Sequence, residues 1–179
     1  MKKLDWKEEN GQLLVSFENR ADTYIFDKNK DGTAVLAVSA CMEDRCAFNP
    51  LLIFGPECTA KSALIDGFAS NYPYGKVIKV DALQINYLSD YSNTAMIVID
   101  NLKSIKNNYQ SQIKLGEWII DNLKKDIQFV LVFDEEQSPV YSEIWKLLKY
   151  NGEGRAFRAT MESENVLIKR SRIRNFGRI

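Results

Sequence analysis

Apolar segments alternate with segments of helical periodicity along most of the chain. Five apolar or β-branched segments are expected to be strands: residues 51–54, 76–80, 95–99, 129–133 and 156–161. Helices are predicted between them, at residues 60–70, 113–125 and 138–150. Strands that are apolar without interruption are typical of a sheet buried on both faces, and intervening helices are typical of connections between parallel strands. The pattern therefore predicts a three-layer α/β domain with a parallel sheet.

The N-terminal part of the chain is less regular. Residues 1–20 are rich in charge and contain one short strand candidate, Leu13–Phe17, with no assigned place in the fold. The composition of Lys28–Gly32 predicts a loop, and small apolar residues at helical spacing predict a helix over Thr33–Met42 with Thr33 as its cap. Because the length suits one domain, we expect a single domain over residues 1–179, with an N-terminal extension at 1–20 and a basic tail at 162–179.

Composition removes several classes of protein. The 24 basic and 24 acidic residues cancel, whereas a protein that coats a polyanion or a membrane surface normally has a basic excess. The chain contains no histidine, which excludes a Ser-His-Asp or Cys-His catalytic unit and a zinc site with histidine ligands. Its cysteines, Cys41, Cys46 and Cys58, form no CxxC pair, which argues against a disulfide framework or a closed metal site.

The apolar runs are also shorter than the ~20 residues that a transmembrane helix requires. The lysines at the N-terminus are not followed by the apolar stretch of a secretion signal. We therefore expect a cytoplasmic protein with no membrane contact.

The strongest chemical signal is a phosphate-loop pattern. Its residues are Gly55, Pro56, Glu57, Cys58, Thr59, Ala60, Lys61 and Ser62, with Ala60 in place of the second glycine. In such a loop the backbone N–H groups face a phosphate, the lysine reaches the terminal phosphates, and the hydroxyl holds Mg²⁺. A predicted strand before the loop and a predicted helix after it favour a site for ATP or ADP with Mg²⁺ over a plain turn with a surface lysine. Ala60 adds a methyl group and Glu57 a negative charge where phosphate would approach.

Asp100 is a second acidic candidate. It ends the apolar run at residues 95–99, at the edge where parallel sheets place their ligands. Together with the phosphate loop, it is the predicted Mg²⁺ ligand beside Ser62; on its own it would be interpreted as a helix cap or turn acid. The next residue, Asn101, cannot act as a base, so nucleotide binding without efficient hydrolysis is predicted.

Several segments together resemble the AAA+ domain of the bacterial replication initiator DnaA and its shorter relatives. The segments that carry the resemblance are Tyr24–Asp27 with the small-residue helix after it, Phe48–Gly55 joined to the phosphate loop, Ile99–Leu102 and Val130–Asp134. The resemblance implies a P-loop NTPase fold, an AAA+ core with five parallel strands. It also implies that Lys61 and Ser62 hold phosphate and Mg²⁺, that Asp100 is the Walker B acid and that Asp134 lies at the sensor 1 position.

The departures from the family pattern concern hydrolysis and DNA contact. Residues 149–153 contain no counterpart of the arginine finger, for which Arg155 or Arg158 would need a different geometry. The segment between Val80 and Ala95 is too short for the extra helix with which initiators grip single-stranded DNA. We also expect the helical lid and the DNA-binding domain of initiators to be missing.

The C-terminal tail is strongly basic. Its candidate contact residues are Lys169, Arg170, Arg172, Arg174 and Arg178, with Phe176 among them. They form either a solvated tail or a surface for a partner protein or for DNA, since basic and aromatic side chains together bind phosphates and bases.

Three functions are consistent with these features. The first is a DnaA-like nucleotide-binding module with weak or absent ATP hydrolysis, which acts by binding a replication protein or another AAA+ protein. The second is an interaction protein that kept the fold and does not bind nucleotide. The third is a small P-loop phosphotransferase, for which only the basic tail offers the cations of a closing lid.

Overall fold

The computed structural model describes residues 4–18, 22–135, 141–151, 155–163 and 167–169. The strands are β1 (Leu4–Glu9), β2 (Gln12–Phe17), β3 (Thr23–Asp27), β4 (Leu51–Phe54), β5 (Val77–Asp81), β6 (Met96–Asp100), β7 (Gln128–Phe133), β8 (Phe157–Thr160) and β9 (Leu167–Lys169). The helices are α1 (Lys28–Glu43), α2 (Thr59–Asn71), α3 (Tyr109–Leu123) and α4 (Ser142–Asn151), with a short 3-10 helix at Leu102–Ile105.

Five strands form a parallel sheet in the order β5-β6-β7-β4-β8. This confirms the predicted fold class, an α/β fold with a five-stranded parallel sheet. The carboxyl ends of all five strands meet at one edge, which is where open parallel sheets bind their ligands. β4 lies between β7 and β8, so the turn after β4 is placed within that edge rather than at its end.

Alternate residues of the strands face two separate cores. Leu51 and Ile53 pack with buried residues of α1 and α2, whereas Leu52 and Phe54 pack with those of α3 and α4. The helices therefore cover both faces of the parallel sheet, as the apolar runs predict. On α3, the predicted inward positions are all buried: Leu115, Trp118, Ile119, Asn122 and Leu123.

The remaining strands form an antiparallel sheet in the order β1-β2-β3-β9. The segment that had no assigned place, Leu13–Phe17, is the greater part of β2 in this sheet. Phe17 packs so closely on α2 that a Cβ atom added at Gly67 would lie 2.3 Å from its ring. The N-terminal hairpin is thereby fixed against the helix that follows the phosphate loop.

The predicted start of the first helix is wrong. α1 begins at Lys28 rather than at Thr33, because the Asp27 carboxylate accepts hydrogen bonds from the backbone N–H groups of Asn29 (2.9 Å) and Lys30 (3.0 Å). An aspartate in this position satisfies N–H groups that the first turn cannot. The polar composition of residues 28–32 therefore belongs to a capped first turn and not to a loop.

The start of α3 also differs from expectation, whereas the predicted start of α4 is not tested. α3 begins at Tyr109, four residues before the predicted start, because the Asn108 side chain accepts the Ser111 N–H at 3.1 Å. α4 is described from Ser142, and the predicted first-turn residue Pro139 lies outside the described residues.

Asn49 joins the strands at the edge opposite the phosphate loop. Its amide donates to the Ile127 carbonyl at 2.7 Å and its side-chain oxygen accepts the Phe129 N–H at 2.8 Å. Its own backbone N–H donates to the Arg155 carbonyl at 2.8 Å. One buried residue therefore connects the segments that lead into β4, β7 and β8, which gives Asn49 of the Phe48–Gly55 segment a structural role.

Candidate nucleotide site

The phosphate-loop segment forms the turn between β4 and α2, in the strand–turn–helix context that its sequence predicts. Gly55 is required at the first position because a Cβ atom there would lie 2.4 Å from the Met161 carbonyl oxygen. Pro56, Glu57 and Thr59 are exposed, and Cys58 is half-buried. Ala60 is fully buried in the core beneath α2, so its methyl group packs inward rather than over the turn.

Two N–H groups at the start of α2 have acceptors within the turn. The Cys58 sulfur accepts the Lys61 N–H at 3.4 Å, and the Cys58 carbonyl accepts the Ser62 N–H at 3.2 Å. The turn therefore resembles an ordinary capped helix start, in which a side chain takes the place that a phosphate oxygen has in a nucleotide site.

Lys61 points into the sheet and is almost completely buried, with 2% of its side chain exposed. Its ammonium donates to the Gly55 carbonyl, to the Phe133 carbonyl and to the Asp134 carboxylate, each at 2.7 Å. Since an ammonium has three donors and no more, all of them are used inside the protein. Lys61 thus connects the end of β4 to the end of β7.

A cavity of about 180 Å³ lies beside this lysine, at the carboxyl edge of the sheet. It is smaller than the roughly 300–1,000 Å³ that is common for small-molecule sites. Its charged lining residues are Glu57, Asp66, Asp100, Asp134, Lys61 and Lys79. Four carboxylates and two ammonium groups give this cavity a net negative lining.

Both predicted Mg²⁺ ligands, Ser62 and Asp100, line the cavity. Ser62 is exposed near the start of α2, and Asp100 ends β6, where its carboxylate forms an ion pair with Lys79 at 3.3 Å. Asn101 adopts a left-handed backbone conformation (φ 57°) and donates from its side chain to Asp81 at 2.9 Å. Asparagine tolerates this conformation better than most residues, so Asn101 has a structural reason to be present.

Residues after β7 and around β8 hold other polar contacts. Glu135 forms an ion pair with Lys106 at 2.7 Å. Arg158 stacks on the Trp145 ring with its guanidinium 4.2 Å from the ring centroid, and Arg155 donates to the Cys46 carbonyl at 3.2 Å. Arg155 precedes β8 and therefore lies near the opposite edge of the sheet from the phosphate loop. It does not reach the candidate site.

The predicted contact residues of the tail are only partly described. The backbone of Lys169 belongs to β9, whereas Arg170, Arg172, Arg174 and Arg178 lie outside the described residues. In the described ranges, no group of three or more histidine, cysteine or acidic side chains is arranged to hold a metal ion. No helix among these residues is long and apolar enough to cross a membrane.

Of the three residues that accept hydrogen bonds from Lys61, the sequence names Gly55 and Asp134 as site residues, although not as partners of this lysine, and it does not indicate Phe133. The carbonyl of Phe133 has no signature in a sequence, and Lys79 was interpreted only as part of a strand. The capping role of Cys58 was not indicated either, because the helix is predicted to begin at residue 60 and cysteine is not a preferred N-cap residue.

A central strand that leads through a phosphate-loop turn into a helix, within a parallel five-stranded sheet, defines the P-loop class of α/β proteins. No protein-family model and no curated protein matches the sequence. Among solved structures, domain III of the replication initiation protein DnaA from Thermotoga maritima is similar, with a TM-score of 0.53 and 16% identity over 73% of this chain and 62% of that one. AMPPCP-bound DnaA from Aquifex aeolicus is similar with a TM-score of 0.55 and 15% identity, over 73% of this chain and 46% of that one.

A DnaA structure with AMPPCP and single-stranded DNA matches with a TM-score of 0.51 and 16% identity, over 74% of this chain and 46% of that one. At these identities the likeness is one of fold. The chain has the AAA+ fold of DnaA domain III, and it spans between 46% and 62% of the length of these three structures.

Proposed function

We propose that this chain is a DnaA-fold module that acts by binding another protein, and that its phosphate-loop turn joins two strands instead of holding a nucleotide. The observation that carries the proposal is the commitment of all three Lys61 donors to oxygens of the protein itself. To contact a triphosphate, Lys61 would have to leave Asp134 and two buried carbonyls, and each of these would lose its partner.

The charges around the turn support the same proposal. Glu57, Asp66 and Asp100 line the cavity together with Asp134. A nucleoside triphosphate is itself an anion, and like charges placed together disfavour binding. Lys79, the other lysine of the cavity, is already paired with Asp100. In this arrangement the residues present do not fit ATP with Mg²⁺.

The partner is proposed from the fold. The similar structures include the replication initiation protein DnaA and the replication initiator DnaA bound to single-stranded DNA, so a replication protein or another AAA+ protein is the proposed partner. Contact of the basic tail with DNA remains part of this proposal, because the residues concerned carry the charge that phosphate binding requires.

A second candidate function is nucleotide binding with weak or no hydrolysis. The observation that favours it is the position of the cavity, which has Ser62 and Asp100 on its walls at the carboxyl edge of the sheet. Two of the similar structures hold AMPPCP. In this alternative Lys61 exchanges Asp134 for phosphate when a nucleotide arrives.

Calorimetric titration with ATP and ADP, with and without Mg²⁺, separates the two functions. We expect no saturable binding at millimolar nucleotide. We also expect Lys61→Ala to lower the free energy of unfolding by about 3 kcal/mol, because it leaves buried oxygens and a carboxylate without their cation. Urea unfolding gives this value.

Lys79→Ala is the matched control, since it removes a lysine of the same cavity whose ion pair is exposed. Its cost should be below about 1 kcal/mol. Saturable nucleotide binding that Lys61→Ala abolishes without loss of stability would establish the second function and reject the first.

A further inference from the structure

A groove follows α2 on the side of β5, the end strand of the parallel sheet. Two cavities form it, one of about 180 Å³ beside the phosphate-loop turn and one of about 250 Å³ further along the helix. Both cavities are lined by Ile65, Asp66, Lys79 and Val98, so they are continuous. The candidate nucleotide site is therefore one end of a longer surface channel.

The part of the groove away from the phosphate-loop turn has an apolar floor. Its apolar lining residues are Ile65, Ala69, Val77, Ile78 and Val98. Ala69, Val77 and Ile78 are only half-buried, so they leave apolar surface in contact with water. An apolar side chain laid on this floor would remove that surface from water, which is favourable.

The other part of the groove carries uncompensated negative charge. Two of the four carboxylates in the cavity beside the phosphate-loop turn are already paired with its two lysines. The other two, Glu57 and Asp66, are exposed and form no ion pair with another residue that the structure describes. The groove therefore favours an occupant with positive charges as well as apolar side chains.

Residues 170–179 of the chain, which we call the arginine segment, have this composition. The segment contains four basic residues and no acidic one: Arg170, Arg172, Arg174 and Arg178. Its apolar side chains stand among or beside the arginines: Ile173, Phe176 and Ile179. The segment can thus supply cations to Glu57 and Asp66 and an apolar side chain to the floor.

The start of the arginine segment lies within reach of the groove. Lys169 ends β9 and lies opposite Thr23 of β3, and β3 pairs with β2. Phe17 of β2 packs on α2 at Gly67, the residue after Asp66. Two strand spacings and the width of a helix make the path from Lys169 to the groove roughly 25 Å. Ten extended residues span up to about 33 Å, so the segment is long enough.

We propose that the arginine segment binds in this groove of its own chain, with its arginines paired to Glu57 and Asp66 and an apolar side chain on the floor. The proposal rests on the proposed function, because a nucleotide held beside Lys61 would take part of the same space. While the segment is bound, its arginines are not available to an external anion such as DNA. The contact is therefore autoinhibitory for DNA binding.

Disulfide trapping in the full chain tests the proposal. Cys58 lines the groove and is half-buried, whereas the other two cysteines are buried. Asn175→Cys and, separately, Gly177→Cys place a second thiol in the segment. With copper phenanthroline as the oxidant, we expect at least one of these variants to form a disulfide with Cys58 within the same chain. Mass spectrometry of the unreduced digest locates the bond.

Charge reversal in the groove shows whether the carboxylates hold the segment. Asp66→Lys should slow disulfide formation at least about tenfold, because it replaces an attraction by a repulsion. Glu117→Lys is the matched control, since it makes the same change at an exposed position of α3, on the other face of the parallel sheet. It should leave the rate unchanged.

A reversal on both sides tests the pairing itself. Arg174→Glu with Arg178→Glu should also slow the reaction, and the addition of Glu57→Lys and Asp66→Lys to these two changes should restore most of the rate. No disulfide in either cysteine variant, or equal rates with Asp66→Lys and Glu117→Lys, would overturn the proposal. A disulfide between two chains would also overturn it, because the groove would then hold the segment of a second copy.

The outcome is distinguishable from that of the nucleotide titration. Trapping with the expected charge dependence, together with saturable nucleotide binding, would reject the proposed role of the phosphate-loop turn and keep the groove as the site of the arginine segment. The absence of both trapping and nucleotide binding would reject only the docking of the segment.

Discussion

Cys58 differs from the other two cysteines in its surroundings. Its sulfur lies half-buried at the start of α2 and accepts the Lys61 N–H. Cys41 is fully buried and donates to the Phe48 carbonyl, and burial raises the pKa of Cys41 to about 12. Burial also raises the pKa of Cys46. Because the thiolate is the reactive form, the two core thiols are inert in the folded protein.

We therefore predict that iodoacetamide at pH 8 modifies Cys58 alone in the folded protein. Mass spectrometry of the digested protein would locate the label, and all three cysteines should react after unfolding in guanidinium. Cys58→Ser should leave a folded protein with no rapidly reacting thiol. Labelling of Cys41 at the rate of Cys58 would contradict the prediction.

The sequence indicates where the candidate site lies but not that Lys61 is bound to oxygens of the protein itself. The phosphate-loop pattern and the run before Asp100 are local, so both could be placed at the ends of strands in advance. The partners of Lys61 lie 6, 72 and 73 residues away along the chain. Only the register of β4 against β7 brings these oxygens together, and no local pattern encodes that register.

Two buried glycines within helices have opposite surroundings. Gly32 in α1 has room for a methyl group, because its nearest neighbours would lie 3.5 Å and 3.7 Å from an added Cβ atom. Gly67 in α2 has none, because the Phe17 ring occupies that space. Helix propensity alone favours alanine over glycine at both positions. The packing around each glycine therefore decides whether its replacement by alanine raises or lowers the free energy of unfolding.

We predict that Gly32→Ala raises the free energy of unfolding by about 0.5–1 kcal/mol. Gly67→Ala should lower it by about 2 kcal/mol or more, because Phe17 must move out of its place. Urea unfolding of the two variants measures both effects. If Gly67→Ala raised the free energy of unfolding as much as Gly32→Ala, the antiparallel sheet would not pack on α2 as described.

The elements differ in how far the sequence predicts them. The strands of the parallel sheet are predictable because burial on both faces leaves uninterrupted apolar runs such as Phe129–Phe133. The sequence pattern predicts the start of α1 at Thr33, five residues after its actual start at Lys28, because the first turn is polar and only the Asp27 side chain marks the beginning of the helix. The pairing of β3 with β9 joins Thr23 to Lys169, and strands of five and three residues at such a separation carry no pattern that identifies the partner.

At the scale of the whole molecule, burial of thiol and phenol groups makes the stability sensitive to alkali. The pKa of Cys41 is raised from 9.0 to about 12, and that of Tyr141 from 10.0 to about 12, in both cases chiefly by burial. Above pH 9 the unfolded chain loses these protons before the folded protein does. Since the unfolded state then binds fewer protons, the free energy of unfolding falls as the pH rises.

We predict a steady loss of stability between pH 9 and pH 12, with a slope of up to about 1.4 kcal/mol per pH unit for each group. Cys41→Ala should reduce the slope between pH 9 and pH 10, because in the unfolded chain the Cys41 thiol loses its proton at a lower pH than the Tyr141 hydroxyl. Guanidinium unfolding at a series of pH values measures the slope. Equal slopes for the variant and the unchanged chain would exclude Cys41 as a source of the effect.

The antiparallel sheet takes its strands from distant parts of the chain, and this affects the order of events during synthesis. β1, β2 and β3 leave the ribosome early, whereas β9 follows about 140 residues after β3. Until β9 emerges, the three-stranded sheet has two unpaired edges, on β1 and on β3. A nascent chain that stalls after β8 would therefore expose the edge of β3 as an additional unpaired strand, which can aggregate. The interval before β9 emerges is thus the time at which a chaperone would protect this protein most.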